Sequence, residues 1–267
     1  MQIDSTDIEQ ICKSACEVVK IAGTFILAQA GRVTPEQIET KDHNSLVSYV
    51  DKESEKILVK GLSEILPRAT YLTEEGTVAQ AESALRWIID PLDGTTNFLY
   101  QLPCYNISVA LEYEGKLCIG IVLDVQTKEL FYAWTGGGAH LNDKPIQVRN
   151  NIQLADAMVS TGFPYYDFGL MDNYLSTLRV LMQKTRGIRR VGAAAIDLAY
   201  VAAGRYDTFF EHSLQPYDVA AGIVLVQEAG GKINDFRGSE DYLFGKQIVA
   251  SSPAIHHEML DILLAHF

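Results

Sequence analysis

The run WIIDPLDGTTNF, Trp87 to Phe98, constrains the chain more than any other stretch. Three apolar residues lead into Asp90, a proline follows, and Asp93 stands beside Gly94-Thr95-Thr96. Trp87, Ile88 and Ile89 read as a buried strand that delivers Asp90 to its C-terminal end. The residue before a proline is biased to extended backbone, and Pro91 has no N–H to continue a ladder. The strand is therefore expected to stop at Asp90. Gly94 permits close backbone approach, and Thr95-Thr96-Asn97 can open a short helix. A buried carboxylate is costly unless it is paired or bound to a metal. Two aspartates at a strand end, beside a helix N-terminus, can hold divalent cations next to an oxyanion. The competing reading is an Asx-turn in which Asp93 caps the short helix, which uses only one aspartate.

Two further acidic sites bear on that choice. Glu74 and Glu75 follow another short strand in YLTEEG, upstream of Asp90. Asp218 stands just before the apolar helix of PYDVAAGIVLVQEAGG, where an acidic residue favours the macrodipole. Taken singly, a plain N-cap at Asp218 and a solvated turn at Glu74-Glu75 serve as well.

Around these sites helices alternate with strands. Ile8, Ile11, Cys12, Ala15, Val18, Val19, Ala22 and Ile26 follow helical spacing, with Thr6-x-x-Glu9 as a capping box and Gly31 as a stop. A second helix is expected from Val50 to Leu66, ending at Pro67. Between Tyr105 and Leu141 the pattern becomes a meander of NISVALEY, KLCIGIVLDV and ELFYAWT, whose short connections require antiparallel pairing. Helices near 172–184, from Ala194, from Val219 and near 254–265 then alternate with the strands DTFFE, GKIND and QIVAS. The fold class is α/β, an α+β layered sandwich of sheets between helices. Its seam lies near Asn150, giving a subdomain at 1–150 with most of the acidic sites and one at 151–267 carrying Asp218. No flexible linker separates them, so one body with a cleft at the seam is expected.

Composition excludes some partners. The 267 residues carry 22 Lys plus Arg against 34 Asp plus Glu, a formal charge of −12. Such a surface repels nucleic-acid backbones and anionic lipid, so neither is expected as a partner. Small phosphorylated substrates stay open if cations bind in the site. The N-terminus carries Asp4, Asp7 and Glu9 where a signal peptide needs Lys or Arg, and no 18-residue apolar run occurs. Cys12, Cys16, Cys104 and Cys118 form no C-x-x-C pair, which reads as reduced thiols in a cytoplasmic protein.

DPLDGTTNF, with TEEG before it and YDVAAGIVLVQEAGG after it, resembles the inositol monophosphatase family within the lithium-sensitive, magnesium-dependent phosphatases. TGFP at Thr161–Pro164 and GAAAIDLAYVAAGRYD at Gly192–Asp207 are similar to its bacterial branch. The resemblance covers nearly the whole chain. It implies a sugar-phosphatase-like αβαβα architecture, with an antiparallel meander sheet in the N-terminal half and a mixed sheet in the C-terminal half. It implies two or three Mg²⁺ ions held by Glu74, Asp90, the Leu92 carbonyl, Asp93 and Asp218. Gly94 and Thr95 would hold the phosphate. Gly192, Ala193, Ala194 and Glu211 would line the polyol side together with Asp93 and Asp218. Glu74, Thr95 and Asp51 would be catalytic, orienting a water for in-line attack on phosphorus without a phosphoenzyme. Lys41 is similar to a loop lysine of the family. Ser45 stands where relatives carry aspartate, and Tyr217 where they carry tryptophan. A homodimer is also implied.

The implied substrate is inositol monophosphate, a small phosphorylated polyol, because Asp93–Phe98 reads DGTTNF where nucleotide phosphatases of the superfamily read DGTKEF. Fructose 1,6-bisphosphate, histidinol phosphate and 3′-phosphoadenosine phosphates are the alternatives. From another class, the chain could be a regulatory scaffold. Gly136–Gly138 reads as a bend between strands, Arg186–Arg190 (RGIRR) as a solvated turn or an oligomer contact, and His140, His212, His256 and His257 as structural.

Overall fold

The computed structural model describes residues 5–42, 45–81, 83–164 and 167–267, with the side chains of residues 5, 6, 41, 42 and 45 outside that description. The Thr6 side of the expected capping box, the Lys41 side chain and the Ser45 side chain therefore lie outside the described residues.

Helix α1 (Ser5–Gln29) leads into a small hairpin, β1 (Ile38–Asp42) with β2 (Ser45–Ser48), and then into α2 (Tyr49–Ile65). Strands β3 (Thr70–Thr73) and β4 (Leu85–Asp93) precede the short helix α3 (Thr95–Leu99). The meander follows as β5 (Asn106–Tyr113), β6 (Lys116–Asp124), β7 (Glu129–Trp134), β8 (Gly138–Leu141) and β9 (Lys144–Ile146). The second half runs β10 (Met158–Thr161), α4 (Met171–Lys184), β11 (Gly187–Arg189), α5 (Ala194–Ala202) and β12 (Thr208–His212). It closes with α6 (Pro216–Glu228), β13 (Lys232–Asn234), β14 (Gln247–Ser251) and α7 (His256–Leu264).

Strands β3 to β9 form one sheet in sequence order, antiparallel except where β3 runs parallel to β4. The other sheet has the order β11-β10-β12-β14-β13, parallel on the β10 side and antiparallel around β14. Helices α1 and α2 cover the outer face of the first sheet, α5 and α6 fill the space between the sheets, and α4 and α7 cover the second. The layers are thus αβαβα, as the resemblance implies.

Strand alternation explains the layering. Trp87, Ile89, Val109 and Ile121 point toward α1 and α2, while Ile88, Ala110 and Val122 join the core between the sheets. That inner core also takes Ala199, Ile223 and Val224, so residues on both sides of Asn150 share it. Each fully buried aliphatic side chain contributes roughly 1.5–3 kcal/mol, which makes the inner layer a strong tie between the halves.

Local expectations fail in three places. Strand β4 does not stop at Asp90 but continues to Asp93 through a register shift between Asp90 and Asp93. Pro91 is tolerated because a bulge needs no ladder donor there, and its carbonyl accepts from Ser54 Oγ at 2.9 Å. The RGIRR run is not a turn, since Gly187–Arg189 forms the edge strand β11 beside β10. The hairpin β1–β2 and the strand β10 carry too short a pattern for the sequence to announce them. Among the described residues no helix is long and apolar enough to cross a membrane.

Candidate active site

A cleft opens where the bulged end of β4 meets the first turns of α5 and α6. Glu74, Asp90, Leu92, Asp93, Gly94, Thr95, Gly192, Ala193, Ala194, Glu211 and Asp218 all line it. The sequence-expected residues are thus brought together with two exceptions. Asp51 lies buried behind Thr95, and Lys41 sits on β1 with its side chain outside the described residues.

The bulge sets the aspartates. Asp90 Oδ1 accepts from the Leu92 N–H at 3.0 Å, so the Asx-turn belongs to Asp90 and not to Asp93. Asp93 Oδ2 accepts from Asn106 Nδ2 at 3.0 Å and from the Ala195 N–H at 2.8 Å. Asp93 therefore satisfies an orphan donor in the first turn of α5, a helix about 100 residues away, instead of capping α3. The N-cap of α3 is Gly94, at φ 89° and ψ 33°, with no side-chain cap. A Cβ at Gly94 would fall 2.8 Å from the Cys104 carbonyl, so both backbone angle and space require glycine. Asp218 lies inside the first turn of α6 and not before it; the N-cap is Gln215, whose N–H donates to Asp218 Oδ2 at 2.6 Å.

Helix α2 supplies the support. Asp51 Oδ2 accepts from the Ser48 N–H and Oγ, both at 2.8 Å, and Asp51 Oδ1 accepts from Thr95 Oγ1 at 2.7 Å. Thr95 Oγ1 also lies 2.9 Å from the Leu92 carbonyl, and its single proton serves one of these acceptors at a time. One turn on, the buried Glu55 accepts from Thr73 Oγ1 at 3.1 Å, the Glu75 N–H at 2.8 Å, and the Thr77 N–H and Oγ1 at 2.6 Å each. It clamps the loop that carries Glu74. Sequence reasoning missed Glu55, Asn106 and Ser48. The signal for Glu55 was present: a glutamate on the same helical stripe as Leu58 and Leu62 has to be buried.

The electrostatics are those of like charges held together, Asp90 buried and Glu74, Asp93 and Asp218 partly buried. Burial, then the Glu74, Asp93 and Asp218 charges, raise Asp90 well above the ordinary carboxylate range. Burial also pushes Asp93 up to about 6, against the opposing hydrogen bonds from Asn106 and Ala195. Asp218 is raised by burial and then by Asp93. Burial raises Asp51 as well, opposed by its bonds from Thr95 and Ser48.

An all-oxygen donor set of this kind suits a hard divalent cation and not a thiophilic one. Among the described residues no group of three or more His, Cys, Asp or Glu side chains stands in metal-holding geometry, and Glu74 and Asp90 share a hydrogen bond. A Mg²⁺ ion, which keeps several waters and takes one or two carboxylates at a time, is the hard cation that needs the fewest of these side chains together.

A layered αβαβα body thus sets four carboxylates in one cleft, a site with the chemistry to take a hard cation and a phosphorylated ligand. The chain belongs to the inositol monophosphatase family, whose model matches residues 7–266. It is 43% identical over 254 residues to the putative Nus factor SuhB of Neisseria meningitidis serogroup B, covering 95% of this chain and 97% of that one. It is 40% identical over 240 residues to the inositol-1-monophosphatase of Mesorhizobium japonicum, covering 90% of each. The crystal structure of extragenic suppressor protein suhB from Bartonella henselae superposes with a TM-score of 0.88 at 40% identity, over 92% of this chain and 95% of that one.

Proposed function

We propose that the chain is a Mg²⁺-dependent phosphomonoesterase that hydrolyses inositol monophosphate to inositol and phosphate. The observation that carries this reading is the convergence of Glu74, Asp90, Asp93 and Asp218 in one cleft, with Thr95 and Glu211 on its walls. Glu74, Asp90, the Leu92 carbonyl, Asp93 and Asp218 would hold two or three Mg²⁺ ions. Bound there, such ions would neutralise phosphate oxygens and lower the pKa of a water.

The chain's own groups do the rest. Thr95 Oγ1 donates to Asp51 and keeps a lone pair to accept a proton from the attacking water. As the water oxygen bonds to phosphorus, its proton passes to Thr95 and the Thr95 proton to Asp51, while the P–O ester bond breaks and the ester oxygen leaves with the bonding pair, taking a proton from a solvent water. The raised Asp51 makes a better base near neutral pH than an ordinary aspartate. Glu74, lining the same cleft, would orient that water with Thr95. The Gly94 and Thr95 backbone holds the phosphate, and Gly192, Ala193, Ala194 and Glu211, with Asp93 and Asp218, face the polyol. The four free thiols support a reducing, cytoplasmic setting. For a homodimer, the exposed Leu175 and Met182, seven residues apart on α4, are the surface we favour.

Initial rates on inositol monophosphate, fructose 1,6-bisphosphate, histidinol phosphate and 3′-phosphoadenosine 5′-phosphate, with Mg²⁺ and with excess chelator, test the reading. Inositol monophosphate should be preferred and chelator should abolish turnover. Full activity in chelator would remove the metal assignment, and a tenfold preference for another phosphate would move the substrate.

A second reading rests on the relatives named Nus factor SuhB. The same scaffold would then serve a regulatory role apart from hydrolysis. Complementation of a strain lacking its own Nus factor SuhB by both wild type and Asp93→Asn would support it, and failure of both would remove it.

A further inference from the structure

Helix α3, which opens with the Gly94-Thr95 phosphate cradle, is about one turn, 5 residues, too short to hold its own direction. Its side chains do that. Thr95 is tied to Asp51 of α2 at 2.7 Å, and the Phe98 ring meets the Tyr105 ring edge-on with centroids 5.2 Å apart. Asn97 reaches across to the second half of the chain. It is 6% exposed and lines the cleft, and its Nδ2 donates to the Cys104 carbonyl at 2.7 Å and to the Val191 carbonyl at 2.9 Å. An amide nitrogen has two protons, and these bonds use both. Both carbonyls stand outside any helix or strand, where no ladder satisfies them. The packing around the amide is close. The Cys104 carbonyl lies 2.8 Å from where a Cβ on Gly94 would stand, and Ala193 Cβ lies 3.3 Å from the same point. A Cβ on Gly192, which is left-handed at φ 91°, would fall 3.3 Å from Asn97 Nδ2. The phosphate cradle, the corner at Cys104 and the Gly192-Ala193 wall thus meet at one side-chain amide, 94 residues along the chain from Val191.

We propose that Asn97 is a positioning residue that fixes the spacing between the phosphate cradle and the 192–194 wall. It thereby sets the preference for a phosphate carried on a compact polyol over one carried on a group that makes no use of the wall. This rests on the phosphomonoesterase reading and adds to it the residue that holds its two subsites in register. A second tie joins the same segments, from the Ala195 N–H to Asp93 Oδ2 at 2.8 Å, but it uses a carboxylate that would also hold metal. The Asn97 amide is neutral and both its protons go to main-chain carbonyls, so it holds the wall whether or not ions are bound. Removing the amide leaves both carbonyls without that donor and lets the 191–193 segment shift. A misplacement of about 1 Å costs a site up to about 100-fold. Here the loss falls on the grip on the polyol, because Thr95, Asp51 and the acidic cluster that attack phosphorus keep their own ties.

Steady-state kinetics on the full chain with Mg²⁺ test this, using inositol monophosphate and an aryl phosphate without hydroxyls. Asn97→Ala should raise KM for inositol monophosphate about tenfold with kcat within about threefold, and change kcat/KM for the aryl phosphate less than about threefold. Asn97→Asp keeps the shape but turns oxygens toward the two carbonyls, and should change the ratio of the two kcat/KM values at least as much. Gly192→Ala moves the wall directly, so in that background Asn97→Ala should move the ratio less than about twofold. If Asn97→Ala melts far below wild type, Asn97→Ser, which keeps one donor, is read in its place and should lower the ratio about threefold. A merely structural role lowers the melting temperature and affects both substrates alike. Equal losses on both substrates, or an unchanged ratio, therefore overturn the positioning role while leaving the phosphatase reading standing. Wild type that hydrolyses neither phosphate overturns both.

Discussion

Replacing Asp93 by asparagine takes one negative charge out of a partly buried cluster while keeping an acceptor in the same place. In the folded, metal-free protein the Asp93 carboxyl rises from an ordinary 3.8 to about 6. Each unit is worth about 1.36 kcal/mol, so keeping Asp93 ionised in the fold costs about 3 kcal/mol. The sign follows from linkage. A carboxyl raised on folding binds its proton more tightly in the native state, so metal-free stability falls as pH climbs from about 4 through about 6. Asparagine carries no charge at any pH and escapes that loss. Its side-chain oxygen can still accept from Asn106 and Ala195, and its amide then faces Asp90 and Asp218 as a donor. In chelator at pH 7.5, Asp93→Asn should therefore be more stable than wild type by about 2–3 kcal/mol, or about 5–10 °C in Tm. At pH 4 the two should nearly coincide. Saturating Mg²⁺ should raise the wild-type Tm more than the mutant's, since an ion at 100 times its Kd adds about 2.7 kcal/mol to the folded state. Hydrolysis should fall at least 100-fold in the mutant. Thermal unfolding at the two pH values, with and without Mg²⁺, measures all of this. A mutant that melts below wild type in chelator at pH 7.5 would mean that the Asp93 charge strengthens its bond to the first turn of α5 by more than its acidic neighbours repel it. A mutant-to-wild-type difference that does not change with pH would refute the linkage.

Thr95→Val keeps shape but leaves the buried Asp51 Oδ1 without its donor, which should cost about 1–3 kcal/mol in denaturant unfolding and lower kcat about 100-fold. Thr95→Ser should retain kcat within about tenfold, and equal losses in both variants would rule out the hydroxyl as the working group. Glu55→Gln should loosen the 73–77 loop and raise the Mg²⁺ needed for half-maximal rate about 10-fold, read from a Mg²⁺ titration of initial rates. An unchanged Mg²⁺ requirement would show that the clamp does not position Glu74.

What the sequence by itself determined is what short-range chemistry carries. The meander follows from period-two alternation and short connections, and the helices from apolar stripes bounded by caps and prolines. Asp90 and Asp93 announced themselves because carboxylates at the end of an apolar strand need a partner. Helix α2 even carried the mark of Glu55, a glutamate on an apolar stripe. The tertiary structure decided who the partners are. Pro91 was absorbed because α2 delivers Ser54 to its carbonyl, so a bulge replaced the expected strand end. Asp93 caps α5 because the fold sets Ala195 beside it across 102 residues of chain, and Thr95 meets Asp51 across 44. Gly187–Arg189 became a strand only because β10 lies alongside to accept it. Hydrogen bonds and charges act within a few ångströms in space, and residues that close in the fold are often far apart along the chain. Local pattern therefore reveals a carboxylate's need for a partner, and only the packed layers supply one.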